Sequence, residues 1–397
     1  MKFIKQIFDK QKPYFEKGGK LEKLYYIFEA GETFFFVPPL TTKPKGVQVR
    51  DAIDLKRLMM TVIIALLPCL VFGMWNVGNM HYLATGESVD FITKLLLGAQ
   101  VVLPIVVVAY AAGLGVEFVF SIIRRHPVNE GFLVTGMLIP LILPPTVPLW
   151  QVALGTVFAV FLGKEVFGGT GMNILNVALT CRAFLYFAYP AELSGDVWTY
   201  FGDTAPIEGY TGATALAMAA EGIGGSTTPV IENLSNSWSA GLFSFNSLFM
   251  GTVPGSIGET SVLMCIIGAA ILILTGVGSW KIMFSVVAGA LFMGVICNVV
   301  GLNEYMLLPP HYHLVIGGFA FGVVFMATDP VTSSQTEKGK WIYGFLIGVI
   351  TVIIRVFNPA YPEGIMMAIL LMNVFAPLID FYVVQANKNR RLKRATI

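Results

Sequence analysis

Apolar runs long enough to cross a bilayer recur along the chain, separated by short polar, glycine-rich or proline-rich segments. A hydrocarbon core of about 30 Å needs about 20 apolar residues of helix. The pattern predicts an all-α polytopic membrane protein with about ten transmembrane segments. These are Leu58–Trp75, Leu95–Ile123, Gly131–Pro144, Val147–Leu162, Met172–Tyr189, Thr260–Thr275, Ile282–Val300, Leu314–Thr328, Ile342–Phe357 and Ile365–Val384.

Two features predict that some of these helices are interrupted. The third segment, Gly131–Pro144, covers only about two thirds of the core at about 1.5 Å per residue. Because prolines then break it, it resembles a half-helix. The stretch Trp150–Gly171 also resembles Trp341–Gly364, since each has a span, a break and a second span that carries asparagine. Two five-helix repeats with interrupted helices would explain both features and would place sites near the repeat interface.

The distribution of lysine and arginine predicts the orientation of the chain. With ten spans, the basic residues of the N-terminal tail, of Arg124-Arg125, of Lys338 and Lys340 and of the C-terminal tail all fall on one side, which the positive-inside rule makes cytoplasmic. The loop from Pro190 to Gly258 falls on the other side and contains acidic residues but no lysine or arginine. We therefore expect a bacterial inner-membrane protein with cytoplasmic termini and a periplasmic loop.

Five units follow from this topology. The predicted order is a cytoplasmic amphipathic segment, a first helical repeat, the periplasmic loop, a second helical repeat and a basic cytoplasmic tail, over residues 1–57, 58–190, 191–258, 259–384 and 385–397. In the first unit, apolar residues at helical spacing among lysines are typical of a helix that lies on the membrane surface.

Composition supports the membrane class and excludes others. Hydrophobic residues make up 55% of the chain and charged residues 13%, which is too little polar surface for a soluble protein of 397 residues. The formal net charge of +2 gives no support for a nucleic-acid partner. The four cysteines lie in apolar segments without CxxC spacing, so we expect buried thiols rather than disulfides or a metal site.

Polar residues inside apolar segments are costly, and this cost makes them candidate functional residues. Glu117 lies inside the second span, where its carboxylate could bind a cation or carry a proton. Asp329 follows the eighth span and Asp380 lies near the cytoplasmic end of the last. The alternative for Asp329 is a helix cap or turn, and for Asp380 an interfacial carboxylate near Lys388.

A second polar group could hydrogen-bond a heterocycle in an apolar pocket. Asn173 and Asn176 are predicted one turn apart on the fifth span, and Thr135 lies in the half-helix. The alternative is that these side chains join neighbouring helices. In the periplasmic loop, Thr214 ends the run Thr211-Gly212-Ala213-Thr214. Its hydroxyl could form a phosphoester, or the run could be a loop that starts a helix.

Seven motifs, in the same order along the chain, resemble the NqrB family, a membrane subunit of the Na⁺-translocating NADH:quinone oxidoreductases. They are Phe15–Lys20, Asn129–Phe132, Lys164–Gly171, Thr211–Thr214, Pro254–Glu259, Met326–Pro330 and Asn358–Gly364. The resemblance covers nearly the whole chain. It implies a urea-transporter-like helical fold and membership of a six-subunit complex.

The resemblance also implies two flavins. The family attaches FMN through its phosphate to the second Thr of a Ser/Thr-Gly-Ala-Thr motif, which matches Thr214 here. A flavin transferase makes this bond outside the cytoplasm, and its signature has Asp six residues before the Thr, where this chain has Glu208. The family also holds a non-covalent riboflavin. The matching positions are Thr135, Asn173, Asn176 and Trp198.

Quinone and Na⁺ complete what the resemblance implies. The stretch that contains Gly113 and Glu117 is similar to the region linked to quinone binding. Four carboxylates match positions linked to Na⁺ movement, and these are Glu29, Glu117, Asp329 and Asp380. The expected function is therefore electron relay from FMN through riboflavin to quinone, coupled to Na⁺ export.

Two alternatives stay open from the sequence. The first is the RnfD protein of the related ferredoxin:NAD⁺ oxidoreductase complex, which shares the flavinylated threonine motif. The N-terminal extension and the match over Phe15–Lys20 favour the quinone oxidoreductase instead. The second is a urea-transporter-like channel without a redox function.

Overall fold

The structure of the chain is a computed structural model. It describes residues 2–16, 19, 21–36, 55–128, 131–202, 210, 212–221, 234, 242–358 and 363–395. Every regular element in these ranges is helical. The predicted all-α class is therefore confirmed for the described residues.

Fifteen α-helices are described, and the longest ones lie in the two halves that flank residues 190–258. The helices are α1 (Lys2–Phe15), α2 (Tyr25–Phe35), α3 (Leu55–Thr85), α4 (Phe91–Arg124), α5 (Phe132–Leu141), α6 (Leu149–Val160), α7 (Val177–Ala188), α8 (Ala215–Glu221), α9 (Phe245–Met250), α10 (Val262–Leu274), α11 (Trp280–Val300), α12 (Tyr312–Val315), α13 (Phe319–Phe321), α14 (Glu337–Phe357) and α15 (Ile365–Ala395). π-Helical turns continue α6 and α13, over Phe161–Glu165 and Gly322–Met326.

Five of the described helices are long and apolar enough to cross a membrane, namely α3, α4, α11, α14 and α15. They correspond to the first, second, seventh, ninth and tenth predicted spans. The other predicted spans are shorter helices in the structure. Of these, α5, α7 and α10 contain 10, 12 and 13 residues. The membrane class is therefore confirmed, whereas ten helices in two urea-transporter-like repeats stay a prediction.

Glycine and proline explain where the short helices stop. The predicted half-helix is confirmed as a short helix: α5 ends at Leu141, just before Pro144 and Pro145. The eighth span was predicted as one segment, Leu314–Thr328, and this was wrong. Gly317, at φ +67°, and Gly318 separate α12 from α13. A left-handed backbone at Gly317 is accessible to glycine at little cost.

Close packing of small residues joins the long helices. In α14, a Cβ added at Gly344 or Gly348 would collide with Ser285 or with the backbone of Val286 in α11. Such contacts let two helix backbones approach, as is common in membrane proteins. In the first half α6 packs between α4 and α7, and in the second half α14 packs between α11 and α15. The helices α3 and α10 pack together and connect the two halves.

The N-terminal helices form a separate small unit at the edge of the bundle. The rings of Phe15 and Phe28 stack with centroids 4.6 Å apart, and Lys12 Nζ donates to Glu32 Oε1 at 3.0 Å. This hydrogen bond raises the pKa of Lys12 above its usual range. The unit is connected to the bundle because α2 packs against α4.

Candidate functional site

One cavity is lined by three of the four residues that were predicted to bind riboflavin. The Asp329 cavity, as we name it, is lined by Thr135, Asn173, Asn176 and Asp329, together with Lys164 and Thr170 among others. It encloses about 810 Å³, including open solvent at its mouth. Its lining combines amide, hydroxyl and charged groups with apolar side chains, a combination typical of ligand sites.

The start of α7 positions the asparagine amides. Asn176 is the residue that caps the helix, because its Oδ1 accepts from the backbone N–H of Leu179 at 3.2 Å. Its Nδ2 then lies 3.5 Å from Asp329 Oδ2. The prediction that Asn173 and Asn176 share a face of a helix was wrong. Asn173 lies before α7, where its Nδ2 donates to the carbonyl of Leu175 at 3.1 Å.

Asp329 organises a turn at the end of the interrupted second-half helix. Its Oδ1 accepts from the backbone N–H of Val331 at 3.1 Å, and its Oδ2 accepts from Thr332 Oγ1 at 2.9 Å. The turn alternative is therefore confirmed, and the same carboxylate also lines the cavity. Thr170 also lines the cavity, and its Oγ1 is buried without a partner among the described residues. A buried hydroxyl without a partner is costly, so it indicates a hydrogen bond to a ligand or water.

A second cavity contains Thr214. The Thr214 cavity is lined by Thr214, Trp198, Arg182, Glu259 and Glu363 among others, and encloses about 860 Å³ including open solvent. Thr214 caps the short helix α8, because its Oγ1 accepts from the backbone N–H of Ala217 at 3.2 Å. The interpretation as a loop that starts a helix is therefore right. It leaves the hydroxyl on the cavity wall, where it is half-buried.

The loop motif is held by its glycine. A Cβ added at Gly212 would collide with the backbone carbonyl of Asp196, so only glycine fits there. Nearby, the Tyr210 hydroxyl lies 3.0 Å from Thr199 Oγ1, and burial raises the pKa of Tyr210. Tyr210 therefore stays protonated at neutral pH. Thr211 and Glu208 lie outside the described residues.

Trp198 is the exception among the predicted riboflavin residues. It lines the Thr214 cavity rather than the Asp329 cavity. The structure therefore does not bring Trp198 together with Thr135, Asn173 and Asn176, and its assignment to riboflavin stays a prediction. The two cavities are bordered by successive parts of α7: Asn176 and Val177 border one, and Arg182 and Tyr186 border the other, so their lining residues come within about 8 Å along the helix at 1.5 Å per residue.

A buried ion cluster forms the floor of the Thr214 cavity, and the sequence pattern did not predict it. Arg182 Nη1 donates to both carboxylate oxygens of Glu259 at 3.0 and 3.1 Å, while its Nη2 pairs with Glu363. Arg182 and Glu259 are each about 5% exposed. Arg355 donates from Nε to the carbonyl of Glu363 at 3.0 Å. The only sequence signal was an arginine inside an apolar span.

Glu117 forms an ion pair with Lys164, and both side chains are 5% exposed. Lys164 lies in the π-helical turn after α6, so this turn directs the ammonium toward α4. Nearby, a Cβ added at Gly113 would collide with the ring of Phe132 in α5. The two residues predicted for quinone binding thus share the interface between α4, α5 and the π-helical turn.

The other two predicted carboxylates lie elsewhere. Asp380 accepts from Ser334 Oγ at 2.6 Å and from the backbone N–H groups of Gln335 and Thr336 at 2.8 and 3.0 Å, so it stabilises the turn that starts α14. No described bond joins it to Lys388. Glu29 is half-buried on α2, in the N-terminal unit. The structure therefore brings Asp329 together with the asparagines but does not gather the four carboxylates.

Comparison with known proteins places this geometry in a family. The sequence profile of the NQR2, RnfD, RnfE family matches residues 42–389. The chain belongs to this family. The B-type subunit of the Na(+)-translocating NADH-quinone reductase of Chromohalobacter salexigens is 48% identical, over 98% of this chain and 96% of its own. The corresponding subunits from Ectopseudomonas mendocina and Klebsiella pneumoniae are 47% and 46% identical, each over 98% of this chain and 99% of their own.

The similarity to these relatives includes the N-terminal unit, because each alignment covers almost the whole of both chains. The motif resemblance found in the sequence is thereby confirmed. The family profile also includes RnfD, so the profile alone does not separate the two complexes. The full-length relatives, which share one name, favour the quinone reductase.

Proposed function

We propose that this chain is the NqrB-type membrane subunit of a Na⁺-pumping NADH:quinone oxidoreductase. It relays electrons through FMN bound covalently at Thr214 and through riboflavin to quinone, coupled to Na⁺ export. The observation that carries the proposal is the pair of cavities bordered by successive parts of α7, one with Thr214 on its wall and one with Asn176. Flavins, when bound, supply the redox chemistry, and the protein supplies position and electrostatics.

The residues of the Asp329 cavity fit a flavin ring. Thr135, the asparagines and the unpartnered Thr170 hydroxyl offer donors and acceptors, while Leu138, Val177 and Leu272 are among its apolar lining residues. A tricyclic heterocycle with polar edges needs this combination. We assign riboflavin to this cavity.

The residues of the Thr214 cavity fit a flavin attached by its phosphate. The hydroxyl of Thr214 supplies the ester oxygen and Trp198 supplies an aromatic surface for stacking. The guanidinium of Arg182 is bound by the carboxylates of Glu259 and Glu363, so this cluster shapes the cavity wall rather than adding positive charge to the site. We propose that a flavin transferase loads this site from the periplasm, with the termini in the cytoplasm and the chain in the inner membrane.

We assign quinone and Na⁺ binding to the region next to the Asp329 cavity. Gly113 and Glu117 lie next to the π-helical turn whose Lys164 also lines that cavity. We propose that quinone is reduced at this interface and that Glu117 and Asp329 contribute to the Na⁺ path. The five other subunits would supply the NADH side of the reaction and contact the N-terminal unit.

The proposal is tested in membrane vesicles from a strain that lacks this gene and carries it on a plasmid. We expect wild-type vesicles to show Na⁺-stimulated, NADH-driven quinone reduction with ²²Na⁺ movement, and Thr214→Ala vesicles to lose both. Equal assembly of the complex, checked by immunoblot, is the control. Ferredoxin-driven reduction of NAD⁺ instead would identify an Rnf-type complex, and solute flux without flavin would identify a channel.

A further inference from the structure

Lys164 lies between two sites of the proposed function, the carboxylate of Glu117 and the Asp329 cavity. Its ammonium pairs with Glu117 of α4, and the same side chain lines the Asp329 cavity. Only 4% of Lys164 is exposed, so this buried cation has access to two negatively charged surroundings and to little water. A lysine ammonium is a compact charge on a flexible stem, which allows it to change partners.

The hydrogen bonds of this ion pair are incomplete on both sides. An ammonium has three donors, and among the described residues Glu117 Oε1 is its one acceptor. Glu117 Oε2 is buried and has no partner in the described chain. A structural ion pair that is buried this deeply is normally completed by further hydrogen bonds. The pair therefore has donors on Lys164 and an acceptor on Glu117 that are available to further partners.

The charges around the pair do not provide those partners. Arg124 is bound to Glu165, with Nη2 donating to its backbone carbonyl at 2.7 Å and Nη1 3.4 Å from its carboxylate. On the other side of Lys164 stands the ring of Phe132, with its centroid 5.9 Å from Nζ. Among the described residues, Lys164 is therefore the cation that forms an ion pair with Glu117.

We propose that Lys164 is a tethered cation that exchanges between Glu117 and the Asp329 cavity. It neutralises Glu117 while the flavin in the cavity is oxidised, and it turns toward the cavity when reduction of that flavin adds negative charge to that of Asp329. Both oxygens of Glu117 then become available to Na⁺. An unpaired buried carboxylate is strongly unfavourable, so the movement of Lys164 and the binding of Na⁺ are coupled. This inference rests on the proposed riboflavin site.

The test measures equilibrium binding of ²²Na⁺ to the purified complex in its oxidised and dithionite-reduced states. We expect the wild-type complex to bind Na⁺ roughly tenfold more tightly when reduced. In Lys164→Met, Glu117 has no competing cation, so we expect the tight affinity in both redox states. In Glu117→Gln, we expect this binding to be lost in both. Lys164→Arg should keep the redox dependence, because its charge is retained.

A purely structural role of Lys164 gives a different pattern. It would weaken Na⁺ binding in Lys164→Met, or leave its redox dependence as in the wild type, and either result overturns the inference. Lys281→Met, which removes a more exposed lysine paired with Glu337, is the matched control and should behave as wild type. If Lys164→Met misfolds, Lys164→Gln, which keeps a polar side chain without the charge, takes its place, and the same outcomes decide. Absence of riboflavin from the wild-type complex would instead contradict the proposed function.

Discussion

The side-chain amide of Asn176 lies 3.5 Å from the carboxylate of Asp329, and this contact joins the start of α7 to the end of the interrupted helix in the second half. One residue comes from the predicted riboflavin set and the other from the predicted ion path. If both predictions hold, this contact would link flavin binding to the ion path. Each of the two residues can be substituted separately to test its predicted function.

Substitutions of Asn176 separate the helix cap from the cavity. Asn176→Ala loses the cap and the amide, so we expect lower riboflavin content and a loss of about 1 kcal/mol in the free energy of unfolding. Asn176→Ser keeps a capping oxygen but cannot reach Asp329, so it should lose flavin with little loss of stability. Flavin released by acid and thermal unfolding in detergent are the measurements. Full flavin content in both variants would contradict the assignment of this cavity.

The ion cluster under Thr214 is predicted to be structurally essential. Arg182→Leu leaves Glu259 and Glu363 facing each other in a buried site, and breaking such a pair costs roughly 3–5 kcal/mol. Adding Glu259→Gln should recover part of that loss, because it removes one unpaired charge. Denaturation midpoints in detergent measure both effects. An Arg182→Leu protein as stable as the wild type would show that the cluster does not hold this floor.

Gly113 and Gly115 form a matched pair on α4. A Cβ at Gly113 would collide with Phe132, so we expect Gly113→Ala to displace that ring and to change the KM for quinone. A Cβ at Gly115 meets nothing within 4 Å, so Gly115→Ala should leave the KM unchanged. The smaller side chain of Phe132→Leu should partly restore the Gly113→Ala enzyme. Equal kinetics for both alanine variants would remove Gly113 from the quinone region.

Asp380 is predicted to act mainly on stability. Its carboxylate accepts from the side chains of Ser334 and Thr336 and from two backbone N–H groups at the start of α14. Asp380→Ala leaves these donors unpaired and should cost on the order of 1–3 kcal/mol. Thermal unfolding gives the cost, and the Na⁺ dependence of quinone reduction gives the ionic effect. A variant with normal stability and altered Na⁺ dependence would restore Asp380 to the ion path.

Much of the architecture could be predicted from apolar periodicity, because the five longest helices have long uninterrupted apolar runs. The half-helix was visible because prolines mark its end. The break at Gly317 could not be predicted, because pairs of glycines inside an apolar run also occur in continuous membrane helices. The π-helical turn that carries Lys164 has no comparable signal in sequence. The turn is defined by the i→i+5 hydrogen bond from the N–H of Val166 to the carbonyl of Phe161, a pattern that is rare in helices.

The parts of the candidate site that lie within short sequence motifs could be predicted. The contacts between residues far apart in the sequence could not. Thr214 and the asparagines belong to short motifs that the family resemblance identifies. The partners of Glu117 and Arg182 are 47 and 77 residues away along the chain. Such contacts depend on how the helices pack, which hydrophobic periodicity does not specify. For the same reason, the sequence could not predict that Trp198 lines the Thr214 cavity.

The central claim is the covalent flavin on Thr214, and the intact mass of the purified chain tests it most directly. We expect the wild-type chain to carry the added mass of one FMN less one water, as a phosphoester requires. Thr214→Ala should lose this mass and the in-gel flavin fluorescence, whereas Thr211→Ala, which alters the other threonine of the motif, should keep Thr214 as an acceptor. A wild-type chain without added mass, or a Thr214→Ala chain that retains it, would contradict the account.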